Sequence, residues 1–350
     1  MNLMLNRLCV ALMALFFSTS PAIADQKDLI VIAAPSIVDT EDDLYYAEVF
    51  DDIIEFDIVY ANAVLGHDEI LILVDAETRP YFTGRVPEQI LIESDPQHIW
   101  MRDFTTVNPY RPVQFRYTSA TFENNYAEAD EIQADFNYLL KQVGIGFDQA
   151  RYKSKKLLLD GGNIVDNYAG RVITTERFLE DNRLSRKEGI AALKQLLGAT
   201  EVAIIPGDDP VMAHSDGMVM FSDENTLFVN RYEGTFRTRV LDELKSAFPG
   251  IRLIEVDAKW DEGDSELSVG SACGINLNAT VTSNFIYMPH FGDIESDDVM
   301  KLIAKNSEKT VIPVPAKGVC KLGGSVRCLS WQQSGDRTAE VIRKLRRFEN

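Results

Sequence analysis

Residues 217–256, GMVMFSDENTLFVNRYEGTFRTRVLDELKSAFPGIRLIEV, carry the reading that decides the fold. Gly217 to Phe221 and Thr226 to Tyr232 alternate as two strands around the turn Asp223-Glu224-Asn225. Thr238 to Phe248 spaces its apolar residues as a helix that stops at Gly250, and Ile251 to Val256 is a short buried strand. The unit is two strands, a helix and a third strand. It recurs on both sides. Upstream stand Lys156 to Val165 and Arg171 to Thr175 as a hairpin, Ser185 to Leu197 as a helix closed by Gly198, and Glu201 to Pro206 as a strand. Downstream stand Asn276 to Thr282, Phe285 to Pro289, the helix Ser296 to Asn306, and Thr310 to Val314. Three ββαβ units in series point to a repeat architecture.

The flanks read as two more units. Trp100 to Asn108 and Pro112 to Ala120 make a hairpin, Ala129 to Val143 a helix, and Asp148 to Tyr152 a weak strand. The fifth unit is divided between the chain ends: Ser325 to Gln332 joins Leu29 to Ala34, a helix from Tyr46 to Val64, and Ile70 to Val74. Pairing the two ends closes a ring and removes exposed sheet edges. Ile90 to Glu93 and a helix from Thr338 to Arg346 have no place in this scheme. The competing expectation is an ordinary open α/β sheet.

Outside the repeats, Met1 to Ala24 reads as a secretory leader: Arg7, an apolar run from Leu8 to Phe17, then Ala22-Ile23-Ala24 as the cleavage site. An apolar run of about ten residues is too short to span a bilayer, so residues 25–350 are expected as one soluble domain in the periplasm or the medium. The 350 residues carry 54 acidic against 35 basic side chains, a net charge of −19, which disfavours nucleic acid as a partner. The chain has no CxxC, no HExxH and no Walker or GxGxxG loop, so neither a metal nor a nucleotide cofactor is expected. Without Cys9 of the leader, three cysteines remain. An odd number in an oxidising compartment leaves one thiol free.

Each unit carries a reactive or polar group near the start of its first strand: Asp103, Asp160, His214 with Asp216, Asn278 and Cys328. The anchors are 57, 54, 64 and 50 residues apart. In a ring of like units, equivalent positions converge on the axis and would bring these groups into one pocket. His214 and Asp216, two apart, would share a face if the strand reached that far.

Trp100-Met101-Arg102-Asp103, Asp160-Gly161-Gly162-Asn163, His214-Ser215-Asp216 and Gly323-Gly324-Ser325-Val326-Arg327-Cys328, in that order, resemble the agmatine deiminase and bacterial (Porphyromonas-type) peptidylarginine deiminase family. The resemblance spans nearly all of the chain after the leader. It implies an α/β five-bladed propeller, the pentein fold of guanidino-group-modifying enzymes, with pseudo-fivefold symmetry, and a reaction without metal or cofactor. Cys328 would be the nucleophile that attacks the guanidinium carbon, and His214 the acid and base. Asp103 and Asp216 would grip the guanidinium, a planar fork of N–H donors that suits carboxylates, and Asn278 would stand beside the thiol. With Cys328 kept free as that nucleophile, Cys273 and Cys320 are expected to form a disulfide. Trp100, Arg102 and Asp160 are carried as substrate-binding candidates, Asp160 having a turn role as its alternative. Asp166 and Asn163 are read as turn residues.

Phe104-Thr105-Thr106 stands where agmatine-type enzymes have Thr-Gly-Pro, and Ser325-Val326-Arg327 where they have Asn-Ile-His, so the substrate tail is expected to be held differently. The leader tilts the reading from agmatine toward peptidylarginine. Arg111 and Arg116 are candidates for a substrate carboxylate, with ordinary surface charge as the favoured alternative. Two other functions fit the residue types: an exported propeller that binds a cationic ligand without turnover, and a Cys–His peptidase.

Overall fold

A computed structural model describes residues 27–37, 44–118, 126–209, 212–257 and 270–348. The expected leader lies outside these residues. The middle unit forms as read. Val219–Phe221 pairs antiparallel with Thr226–Asn230, which pairs parallel with Arg252–Val256 across the helix Gly234–Ala247. That helix starts one turn earlier than its apolar spacing shows, because residues 234–239 are mostly exposed and leave no hydrophobic mark.

The same strand order appears four more times. Val165–Asp166 is antiparallel to Arg171–Thr175, which is parallel to Glu201–Ile205. Thr280–Val281 is antiparallel to Phe285–His290, which is parallel to Thr310–Pro315. Next to the N-terminal region the order shrinks to a bridge between Val107 and Val113, with Val113–Gln114 parallel to Asp148–Gln149. At the chain ends Trp331–Gln333 runs antiparallel to Leu29–Ala33, which runs parallel to Glu69–Val74. One sheet therefore ties both ends of the described chain together, as the divided unit requires. Leu91–Glu93, the segment without a place, adds a fourth strand to that sheet, and the C-terminal helix Arg337–Phe348 packs on it and on the helix Tyr126–Val143.

The crossover helices each bury one face on strands: Arg186–Leu197 and Ile294–Asn306 on those of their own units, Gly234–Ala247 chiefly on Glu201–Ile205 of the unit before it. Ser185 caps the helix Arg186–Leu197 in a reciprocal box with Glu188, and Gly198 ends it at φ +70°. Ala192, Leu193 and Leu197 then pack on Val172 and Val202. Val240, Leu241 and Leu244 pack on Leu227 and Val229, and Val299 and Ile303 on Ile286 and Met288. At about 1.5–3 kcal/mol for each fully buried large aliphatic side chain, these clusters, which join neighbouring units, contribute substantially to stability. The architecture is an α/β fold of separate small sheets, and no helix among the described residues is long and apolar enough to cross a membrane.

Cys273 and Cys320 form a disulfide that closes a 47-residue separation, and Cys328 is the free thiol among the described cysteines. By loop-closure entropy the bridge contributes about 4 kcal/mol. Urea unfolding of the Cys273→Ser/Cys320→Ser double variant should show a loss of that order, and an unchanged midpoint would refute a stabilising role.

Candidate active site

Asp103, Asp160, Asn278 and Cys328 do not stand on the strands that the periodicity predicts for them. Asp103 lies in the one-turn helix Met101–Phe104, and Asp160 and His214 immediately precede the 3-10 turns Gly161–Asn163 and Ser215–Gly217. Asn278 and Cys328 lie in irregular turns before Thr280 and Trp331. The expected hairpin strands over Trp100 to Asn108 and Lys156 to Val165 are broken at these points. The physical reason is that the backbone there bonds across units instead of along a sheet. Arg102 N–H donates to the Cys328 carbonyl (3.0 Å) and Arg327 N–H to the Asn278 carbonyl (3.2 Å). The approach is close enough to require glycine, since a Cβ on Gly161 would lie 2.0 Å from the Arg102 carbonyl oxygen.

The turns bring the sequence-selected groups into one buried cluster. Asn278 donates from Nδ2 to Cys328 Sγ (3.1 Å), and its Oδ1 accepts from Cys328 N–H (3.3 Å) and from Ser325 Oγ (3.1 Å). The amide is thereby fixed in orientation and holds the sulfur. Burial, with Asp216 and Asp103 nearby, pushes the thiol well above its ordinary value, so the resting group is a neutral thiol. Trp100 is half-buried. A Cβ on Gly324 would lie 2.5 Å from its Cζ3 and 3.1 Å from Cys328 Sγ, so the indole and the thiol face each other across that glycine.

His214 is placed between carboxylates. Its Nε2 lies 3.2 Å from Asp160 Oδ2 and its Nδ1 3.8 Å from Asp103 Oδ1. Burial disfavours the imidazolium, but Asp103, Asp160 and Asp216 outweigh it and push His214 up to about 9. Burial raises Asp103 to about 7 against the attraction of His214, and Gly162 N–H donates to its Oδ1 (2.9 Å). Asp160 is buried too, yet the hydrogen bond and charge of His214 and the Thr118 hydroxyl hold it below the usual carboxylate range. A Cβ on Gly162 would lie 2.7 Å from His214 Nδ1, 2.8 Å from Asp103 Oδ1 and 3.3 Å from Asp216 Oδ2. Three functional atoms therefore surround the space over one glycine.

Asp216 and His214 do not share a strand face. Asp216 is almost fully buried on the 3-10 turn, and its Oδ2 has no hydrogen-bond partner. Its charge contact is Arg327 Nε at 3.4 Å, a distance without hydrogen-bond alignment. Burial raises this carboxyl even though Arg327, His214 and Arg102 oppose the shift. Arg102 is itself buried, and burial with the like charge of Arg327 pulls it down to about 10. Its Nε points at the Arg327 carbonyl (3.5 Å), which makes Arg102 part of the support beneath the cluster.

The structure separates the remaining candidates. Asp160 has both oxygens occupied, Oδ1 by Thr118 N–H (2.9 Å) and Thr118 Oγ (2.6 Å) and Oδ2 by His214. It makes no cap on the following turn. Its geometry fits orienting His214 better than gripping a substrate. Arg116 is bound to Asp130 at 2.7 Å on the surface, and Arg111 is exposed, its N–H donating to Asn108 Oδ1. Asp166 accepts the N–H of Tyr168 two residues on, as a turn residue does, whereas Asn163 accepts the N–H of Thr175 twelve residues away and ties its 3-10 turn to the strand Arg171–Thr175. Sequence reasoning missed Thr118 and the Asn278-holding role of Ser325, since an isolated hydroxyl leaves no pattern. No set of His, Cys, Asp and Glu side chains among the described residues is arranged to hold a metal ion.

Comparison with known proteins adds the family context. A family model described as Porphyromonas-type peptidyl-arginine deiminase matches residues 21–334. A protein named "Putative agmatine deiminase" from Selenomonas ruminantium is 23% identical over 319 residues, covering 76% of this chain and 83% of its own. The structure resembles C. jejuni agmatine deiminase with a TM-score of 0.72 at 17% identity, over 89% of this chain and 94% of that one. It resembles agmatine deiminase of Enterococcus faecalis with a TM-score of 0.68 at 15% identity, over 88% and 93%.

Proposed function

The chain belongs to the Porphyromonas-type peptidyl-arginine deiminase family, hydrolases of C–N bonds in amidines, and from that premise we propose an exported enzyme that converts a guanidinium to a ureido group and ammonia through a Cys328 thiouronium. The observation that carries this reading is the buried Asp216 Oδ2 without a hydrogen-bond partner, set beside Asp103, His214 and the free thiol. A permanently charged planar cation satisfies that oxygen. The five like units support a five-bladed propeller with this cluster on its axis.

In the proposed mechanism Asp103 and Asp216 receive guanidinium N–H groups and present its carbon to Sγ. The entering cation lowers the thiol's pKa, the proton passes to solvent, and the thiolate adds to the carbon. His214, charged at neutral pH, gives its proton to the departing amino group, and ammonia leaves from the tetrahedral adduct. The now neutral imidazole takes a proton from water, whose oxygen adds to the thiouronium carbon. Collapse returns the thiol and frees citrulline or its amine analogue. Asp160 keeps the imidazole oriented throughout.

Peptidylarginine is our first substrate, on the strength of the leader and the family description. Agmatine, giving N-carbamoylputrescine, is the second reading, favoured by the names of the relatives. Ammonia release from agmatine, free arginine and an arginine-containing peptide separates the two. We expect the peptide to have the highest kcat/KM. A preference for agmatine moves the assignment to the second reading, and no ammonia from any of the three leaves a cation-binding propeller without turnover.

A further inference from the structure

Arg327 precedes the nucleophile but does not face the thiol. Its Nη2 donates to the Ile164 carbonyl (2.9 Å), and its Nε lies 3.4 Å from Asp216 Oδ2. The side chain is 9% exposed and that of Asp216 2%, so the charge contact is shielded from water. On its other side Arg327 borders a cavity of about 350 Å³ lined also by Asp166, Tyr168, Leu277, Ala279 and Gln332. Cys328, His214, Asp103, Asp160 and Asp216 are absent from that lining. The alternation of Leu277, Asn278 and Ala279 explains the division: Asn278 holds the thiol while its two neighbours line the second cavity. Arg327 is therefore a partition between the catalytic cluster and a space behind it.

We propose that Arg327 is a positioning residue of the reaction, holding the Asp216 carboxylate ionised and aimed at the substrate guanidinium from the side opposite the substrate. A buried carboxylate without a nearby cation takes up a proton, and a protonated Asp216 cannot form a charged pair with a guanidinium. The groups facing Asp216 are Arg327 beside the nucleophile, His214 on its own turn, Arg102 and Asp103 on Met101–Phe104, and the Cys328 thiol. Two of the three cations sit on other segments. Of these, Arg327 contributes the largest opposition to burial. With Arg327 neutralised, the burial effect is less opposed, so Asp216 holds its proton to higher pH. The acid limb of kcat/KM, set by Asp103 in the wild type, then moves to higher pH as Asp216 comes to titrate above Asp103.

The inference rests on the guanidino-hydrolase reading for its kinetic arm only. A second arm needs no turnover. Cys328 displaces chloride from 2-chloroacetamidine, a planar cation, or iodide from neutral iodoacetamide. In each case a C–S bond forms, halide leaves and the thiol proton passes to solvent. Only the cation depends on an ionised Asp216, so the ratio of the two rates reports that carboxylate. In Arg327→Gln we expect the ratio and kcat/KM near pH 7 to fall by about a hundredfold, the scale of a misplaced binding group, with the acid limb shifted upward. In Arg327→Ala, millimolar guanidinium chloride entering from the rear cavity should recover the ratio. Two results would each overturn the proposal: an unchanged ratio in Arg327→Gln, whether both rates hold or both fall equally, or no recovery with guanidinium. A wild type that releases no ammonia but shows the Arg327-dependent ratio defeats the hydrolase reading and leaves the positioning role standing.

Discussion

Cys328→Ala should release no measurable ammonia from whichever guanidino substrate the wild type prefers, a loss of at least about ten-thousandfold. The size follows from the chemistry. A neutral guanidinium-carbon electrophile does not exist at this site, because the substrate is a resonance-stabilised cation that water alone attacks poorly. No other described thiol can substitute, since Cys273 and Cys320 are bonded to each other. The fold should persist. Alanine occupies less volume, and the chief cost is the Asn278 Nδ2 donor left without sulfur, about 1–3 kcal/mol for an unsatisfied buried group. Ammonia assays beside far-ultraviolet circular dichroism and a urea midpoint separate lost chemistry from lost structure. Full activity in a folded variant would remove Cys328 from the mechanism.

The repeat was legible because each unit has a strong local signature. The helix Arg186–Leu197 announces both ends through Ser185, Glu188 and Gly198, and its strand partners are short apolar runs. The divided unit was legible for a topological reason: each strand set lacked a partner within its own half. What stayed hidden was the local form of the site. Met101 and Phe104 are fully buried around Asp103, and that apolar pattern reads as a strand although the segment is one helical turn. Periodicity over four residues cannot separate the two. Its hydrogen bonds go to the Cys328 segment, more than two hundred positions away in sequence, and no window along the chain contains that information. The same limit explains Asp160. Its motif and spacing mark a functional carboxylate, but only Thr118 and His214 together occupy both its oxygens and turn it toward the histidine.

His214→Gln carries the second large effect, and it also changes the shape of the pH profile. The three carboxylates near the imidazole raise it to about 9, so it is protonated across neutral pH and ready to donate to departing ammonia. Asp103, raised to about 7 chiefly by burial, must instead lose its proton to pair with the guanidinium. The two values belong to one interacting cluster. They place the active form, carboxylate and imidazolium together, between them. For the wild type, kcat/KM should rise with pH through about 7 and fall again through about 9. Glutamine keeps a hydrogen-bonding group near Asp160 but supplies no titrating proton. The variant should lose about a thousandfold in rate, within the range for general acid–base catalysis, and its profile should have no basic limb near 9. Loss of His214 also removes the cation that holds down the Asp103 and Asp216 carboxyls, so the residual activity should show an acid limb displaced upward. A variant that kept the wild-type fall near pH 9 would assign that limb to another group and would end the case for imidazolium as the acid.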